Sequence, residues 1–227
     1  MLGLIFTGGE GPPAQVVCKL LEAETQNVLI VAADSGLAAA DRAGIKPDWV
    51  IGDMDSLDDK SRLASLPPDR VIRMPHDKDF TDTELAFSLA VKKDCGRIWI
   101  IGGGGGRIDH LFGIRSLFER EIFPCRWITE GADIRCVDAD LKSGNQANER
   151  RFADNSLRGC PEKGAVVSVF PLGAGPWEAE STGLKWPLDG LTWDRGFFGV
   201  SNVAVNGDFS VTAQKGRFMV ILPNTPQ

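Results

Sequence analysis

The sequence predicts an α/β domain, a mostly parallel sheet with flanking helices, followed by an antiparallel β-sandwich. Three observations carry this. The first half alternates short apolar runs with helix-period segments, and polar clusters follow the predicted strands directly. Near Lys142 the texture changes to short apolar segments separated by Gly, Pro and Asp. With 227 residues, 43% of them hydrophobic, the chain can bury one large core or two small ones.

The elements follow in order. Residues 2–7 form an apolar run that reads as a buried strand, and 13–24 has helical spacing with Pro13 at its start. Residues 27–33 read as a strand and 37–43 as a short helix stopped by Gly44. Segments 49–52, 70–74 and 97–102 supply three more strands, with a helix over 82–93 and another after the glycine run at 102–106. Such alternation implies a parallel sheet whose ligands lie beyond the carboxyl ends of its strands. Gly144, Asn145, Asn148, Asn155 and Gly159 mark a turn-rich entry to the second domain, so the expected division is 1–143 and 144–227. Segments 165–170, 177–181, 197–202, 209–213 and 217–222 are its predicted strands.

Charge narrows the function classes. Twenty-five Lys and Arg against 31 Asp and Glu give a net charge of −6, which argues against a basic surface gripping nucleic acid or an anionic membrane. The apolar runs are far shorter than the roughly 18 residues that a membrane span needs. Gly8, Gly9, Glu10 and Gly11 interrupt any signal-like stretch at the N-terminus. The five cysteines are scattered and never paired as C-x-x-C, so neither a disulfide framework nor a zinc knuckle is expected, and the expected compartment is the cytoplasm.

Three clusters in the first domain carry chemistry. In Gly52-Asp53-Met54-Asp55-Ser56, extended backbone would project Asp53 and Asp55 to one side, and two close carboxylates call for a cation, Mg²⁺ above all where phosphates are bound. In Lys78-Asp79-Phe80-Thr81-Asp82-Thr83-Glu84, Thr81 and Glu84 form a capping box that places Asp82 in the first turn of a helix and Asp79 on the loop before it. The run Gly102 to Gly106 precedes Arg107-Ile108-Asp109-His110; glycines between a strand and a helix let backbone amides approach phosphate, and Arg107 offers a guanidinium fork. In the second domain, Trp186 and Trp193 are either core or exposed stacking platforms, and Ser201-Asn202 either a turn or a source of hydrogen bonds.

These motifs resemble those of the thiamine pyrophosphokinase family. The matching elements are Asp34-Ser35-Gly36, Gly52-Asp53-Met54-Asp55-Ser56, Lys78-Asp79-x-Thr81-Asp82-x-Glu84, Gly105-Gly106-Arg107-Ile108-Asp109-His110, and the pair Gly183-Leu184-Lys185-Trp186-Pro187-Leu188 and Gly199-Val200-Ser201-Asn202. Ile114 stands where the family often has Asn, and Val203 where many bacterial members have Glu. The resemblance implies an ATP- and magnesium-binding α/β domain, a thiamine-binding β-sandwich and a homodimer with sites between subunits. The implied reaction moves the diphosphate of ATP to the hydroxyl of thiamine. By the same resemblance Asp53, Asp55, Asp79 and Asp82 would hold Mg²⁺. Asp34, Lys78, Gly104, Gly105, Gly106, Arg107, Asp109 and His110 would bind the nucleotide, and Trp186, Ser201 and Asn202 the acceptor. Competing expectations are a diphosphokinase for a hydroxymethylpterin-type alcohol, a metal-dependent phosphohydrolase and a nucleotide-binding regulatory module without turnover.

Overall fold

The alternation of apolar strands and helices builds the first of two units, Met1–Gly131, in a computed structural model that describes residues 1–55, 62–63, 66–141, 154–194 and 196–224. Its elements are β1 (Leu2–Phe6), α1 (Ala14–Glu22), β2 (Val28–Ala33), α2 (Gly36–Arg42), β3 (Trp49–Gly52), β4 (Val71–Arg73), α3 (Asp82–Lys92), β5 (Arg97–Ile101), α4 (Ile108–Leu117) and β6 (Arg126–Ile128). All six strands are parallel, in the order β6-β5-β1-β2-β3-β4. The order reverses at β1, between β2 and β5, so the loops after β1 and β5 open at the point where such sheets bind ligands.

Strand alternation explains the layers. Leu2, Leu4 and Phe6 of β1 share one face with Val17 of α1 and Ala40 of α2, while α3 packs on β1, β2 and β3. Full burial of each such side chain contributes roughly 1.5–3 kcal/mol, which holds the strand ends and their polar loops in place.

The second unit begins at Ala132. Its strands are β7 (Ala132–Asp138), β8 (Ser156–Gly159), β9 (Val166–Leu172), β10 (Glu178–Thr182), β11 (Gly199–Val203), β12 (Phe209–Lys215) and β13 (Arg217–Pro223). They form two antiparallel sheets, β11-β9-β13-β7 and β10-β12-β8. Val167, Val169, Phe218 and Val220 from one sheet and Ala179, Phe209, Val211 and Ala213 from the other share a core, as a sandwich requires.

The division at Ala132 precedes the composition change near Lys142, because β7 pairs along its whole length with β13 and joins the second unit. Strands β6, β7 and β8 are additions to the sequence reading. The turn-rich stretch at 144–153 and Ser56 lie outside the described residues.

Candidate active site

Strand β3 ends at Gly52, and the chain then buries Met54 completely, at φ 62°, among Ala32, Leu37, Val50, Leu63 and Leu66. This apolar anchor takes the segment out of extended geometry, yet a carboxylate oxygen of Asp53 and one of Asp55 still lie within 4.8 Å of each other. Asp53 is half-buried and its Oδ1 accepts the Asp55 N–H at 3.1 Å, whereas Asp55 is exposed. Gly52 has φ 153°, and a Cβ there would lie 2.9 Å from Asp34 Cβ and 3.2 Å from Asp82 Oδ1. Only glycine leaves room for those two carboxylates beside the strand end.

Asp34 follows β2 at φ 46°, donates its backbone N–H to Ile51 O at 2.9 Å and is 7% exposed. Its Oδ1 is buried without a hydrogen-bond partner. Asp82 opens α3 behind the expected capping box: Thr81 Oγ1 accepts the Glu84 N–H at 3.2 Å, and Glu84 Oε2 accepts the Thr81 N–H at 2.9 Å. A carboxylate oxygen from each of Asp34, Asp53 and Asp82 lies within 4.8 Å of the others. Lys78 Nζ sits among them, 3.4 Å from Asp53 Oδ2 and 3.2 Å from Asp82 Oδ1, and donates to Pro75 O at 3.2 Å.

Of the three close carboxylates, Asp53 and Asp82 pair with the Lys78 ammonium, and the charges register it. Burial, reinforced by Asp34 and Asp53, pushes the Asp82 carboxyl above its usual range despite Lys78. The Asp55 N–H, and then Lys78, hold Asp53 below it. Burial alone would lower Lys78, but its pairing with Asp82 and Asp53 raises it. An all-oxygen donor set with surplus negative charge and an unpartnered buried oxygen fits a hard divalent cation such as Mg²⁺. Asp53 also belongs to a second group with Asp55 and His76, which is more exposed and offers an imidazole that suits magnesium less well. His76 escaped the sequence reading; its signal was a position on the loop after β4, two residues before Lys78. Asp34, expected to bind nucleotide, lies among the inner carboxylates. Asp79 is exposed and belongs to neither group.

The glycine run follows β5, with φ 100°, 75°, 61° and 62° at Gly102, Gly103, Gly105 and Gly106. A Cβ at Gly103 would meet Ile114 Cδ1 at 2.3 Å, so Ile114 packs directly under the loop. Gly104 corrects an expectation: it is buried and its N–H already donates to Glu10 O at 2.9 Å, which ties the run to the loop after β1. Gly105 and Gly106 are exposed. Arg107 forks onto Asp109, Nε to Oδ1 at 3.2 Å and Nη2 to Oδ2 at 2.5 Å, and this bond pulls the Asp109 carboxyl down to about 2. His110 is exposed at a cleft lined also by Thr7, Gly8, Thr83 and Gly103.

In the second unit Trp193 is core, whereas Trp186 is 53% exposed with Lys185 Nζ 4.5 Å from its ring centroid. Asn202 is buried and its amide is engaged within the fold: Oδ1 accepts the N–H groups of Trp186 and Val203 at 3.1 and 2.8 Å, and Nδ2 donates to Trp186 O at 2.6 Å. The contact expected from Asn202 to substrate is thus made to the backbone that carries Trp186. Ser201 is exposed at φ 63°, with its N–H on Ser168 Oγ at 3.1 Å.

Comparison with known proteins matches this arrangement to one family. Residues 20–123 match the model of the thiamin pyrophosphokinase catalytic domain, and residues 155–218 that of the thiamin pyrophosphokinase vitamin B1 binding domain. The thiamine pyrophosphokinase of Bacillus subtilis is 26% identical over 182 residues, 79% of each chain. Thiamine pyrophosphokinase 1 of rice is 26% identical over 181 residues, 76% of this chain and 64% of its own. The fold is shared with the crystal structure of the Bacillus subtilis protein at TM-score 0.75 and 23% identity over the whole of both chains. It is also shared with thiamin pyrophosphokinase from Candida albicans, at 0.66 and 13% over 98% and 88%. The first model spans the strand-end carboxylates and the second spans Trp186 and Asn202, and together they cover well over half of the sequence. By both of its units, this chain belongs to the thiamin pyrophosphokinase family.

Proposed function

We propose that this chain transfers the β,γ-diphosphate of ATP to the hydroxyl of thiamine, giving thiamine diphosphate and AMP. The observation that carries the proposal is the convergence of Asp34, Asp53 and Asp82 at the carboxyl ends of parallel strands, in a chain matched by both domains of the family. Asp34, Asp53 and Asp82 would hold magnesium, which when bound offsets the charge of the polyphosphate. Asp55 and Asp79, both exposed, take positions outside this inner set. Gly105, Gly106 and Arg107 steady the phosphates, with Asp109 orienting Arg107 and His110 lining the adjacent cleft. A carboxylate of the group accepts the hydroxyl proton as the new P–O bond forms. Trp186 stacks on the cationic rings of thiamine, with Ser201 beside it and Asn202 positioning its backbone. The protein works as a homodimer in the cytoplasm; no helix among the described residues is long and apolar enough to cross a membrane.

The test mixes purified protein with ATP, Mg²⁺ and thiamine and follows AMP and thiamine diphosphate. Equimolar products that require thiamine are expected. ATP that survives, or disappears equally without thiamine, overturns the assignment, and a hydroxymethylpterin is then the acceptor to try.

A further inference from the structure

Lys78 lies within a set of acceptors that it cannot complete. Its ammonium donates to Asp53 Oδ2 and Pro75 O, and it lies 3.2 Å from Asp82 Oδ1 as an ion pair without a hydrogen bond. Asp34 Oδ1 and Asp82 Oδ1 both stay buried without a hydrogen-bond partner. The pocket is therefore neutralised in part and satisfied in part. A divalent cation drawn by Asp34 would claim lone pairs on the same Asp53 and Asp82 oxygens that Lys78 now holds, and two cations cannot share them without strong repulsion.

We propose that Lys78 is a resident counterion of this pocket, one that withdraws from Asp53 and Asp82 when a divalent cation enters and so competes with the cation for its site. The inference rests on the metal reading of the carboxylate group and goes beyond it. The side chain is equipped for exchange: it is 12% exposed, lies on the loop before α3, and has a long flexible stem that carries the ammonium outward once its acceptors are taken. Cation entry then releases a positive group from the pocket, and Lys78 becomes available to incoming phosphate only after the metal has bound.

The test is a Mn²⁺ titration without nucleotide, followed by electron paramagnetic resonance, on wild type, Lys78→Met and Lys78→Arg. Lys78→Met removes the competing charge and should bind Mn²⁺ about tenfold tighter or more, while Lys78→Arg, which keeps the charge, should not. Equal or weaker binding by Lys78→Met overturns the proposal. Should that variant fail to fold, wild type decides the matter: acetylation of Lys78, read by mass spectrometry, should accelerate severalfold at saturating Mg²⁺, and an unchanged or slower rate overturns the proposal. The outcomes stay distinct from the assay of diphosphate transfer. Wild type that forms AMP and thiamine diphosphate while Lys78→Met binds Mn²⁺ no tighter refutes the counterion and leaves the reaction standing.

Discussion

At the scale of single residues, the site keeps groups that the fold alone would not select. Asp34 Oδ1 is a buried carboxylate oxygen without a partner, an arrangement that destabilises the metal-free protein. Asp34→Asn preserves shape and removes the charge, so the metal-free variant should be more stable by about 1–3 kcal/mol while losing most of its affinity for Mn²⁺. Urea melts in chelator and a Mn²⁺ titration check this, and a variant that is both less stable and still binds metal would remove Asp34 from the site. Asp109 makes a contrasting case, an exposed carboxylate held down to about 2 by its fork with Arg107. A depressed pKa gives a contribution present above the ordinary aspartate value of 3.8 and lost as pH falls towards 2. Full solvent exposure makes that contribution small, so the pair serves to orient Arg107. Carboxyl NMR should find Asp109 titrating near 2, and Asp109→Asn should leave the melting temperature nearly unchanged while raising the KM for ATP severalfold. A midpoint near 3.8 would mean that the fork does not persist in solution.

At the scale of elements, the N-terminus of α3 joins local folding to the site. The capping box of Thr81 and Glu84 satisfies two backbone donors and fixes the loop that carries Lys78 and Asp82. Thr81→Ala should lower stability by about 0.5–2 kcal/mol and weaken Mn²⁺ binding, with Thr81→Ser restoring most of both. Loss of stability without change in metal affinity would separate the cap from the site. This element was legible because Thr, Glu and their spacing act within a few residues. Strands β6, β7 and β8 were not, for reasons equally physical. Segment 126–128 is three residues long and includes a buried Arg, and 156–159 has a single large apolar residue, so neither shows a period. In β7 the alternation of Ile134 and Cys136 with Asp133 and Arg135 is present but short, and what makes it a strand is pairing with β13, some eighty residues away in sequence. Met54 is similar: the acidic motif was visible, but the apolar pocket that takes Met54 and turns the backbone between Asp53 and Asp55 is assembled from β2, α2, β3 and Leu63 and Leu66.

At the scale of the whole molecule, sequence order and spatial order part company at β1. The alternation of strands and helices predicted a parallel sheet, yet no local signal places β5 against β1 and β3 beyond β2. That choice brings the glycine run to the loop after β1 and sets Asp34 beside Asp53, so the inner carboxylates became visible only with the sheet order. The second unit poses the last question, because it leaves large apolar side chains exposed, among them Trp186, Phe197, Phe198 and Val200, on a chain whose net charge of −6 otherwise favours solubility. Phe198 stacks on Phe170 at 5.2 Å and Phe197 meets Trp193 edge-on at 5.6 Å, so these rings are held in place rather than loose. Ordered apolar surface of this kind is what a second copy would cover in the proposed homodimer. Sedimentation should therefore give twice the mass of one chain, with a melting temperature that rises with protein concentration. A charge on the exposed edge strand β11, Val200→Asp, should shift the protein towards monomer with the fold intact, because Val200 is 53% exposed and contributes little to the core of its own chain. A wild-type monomer at all concentrations, or a Val200→Asp variant as dimeric as wild type, would mean that this face is covered by something other than its own copy.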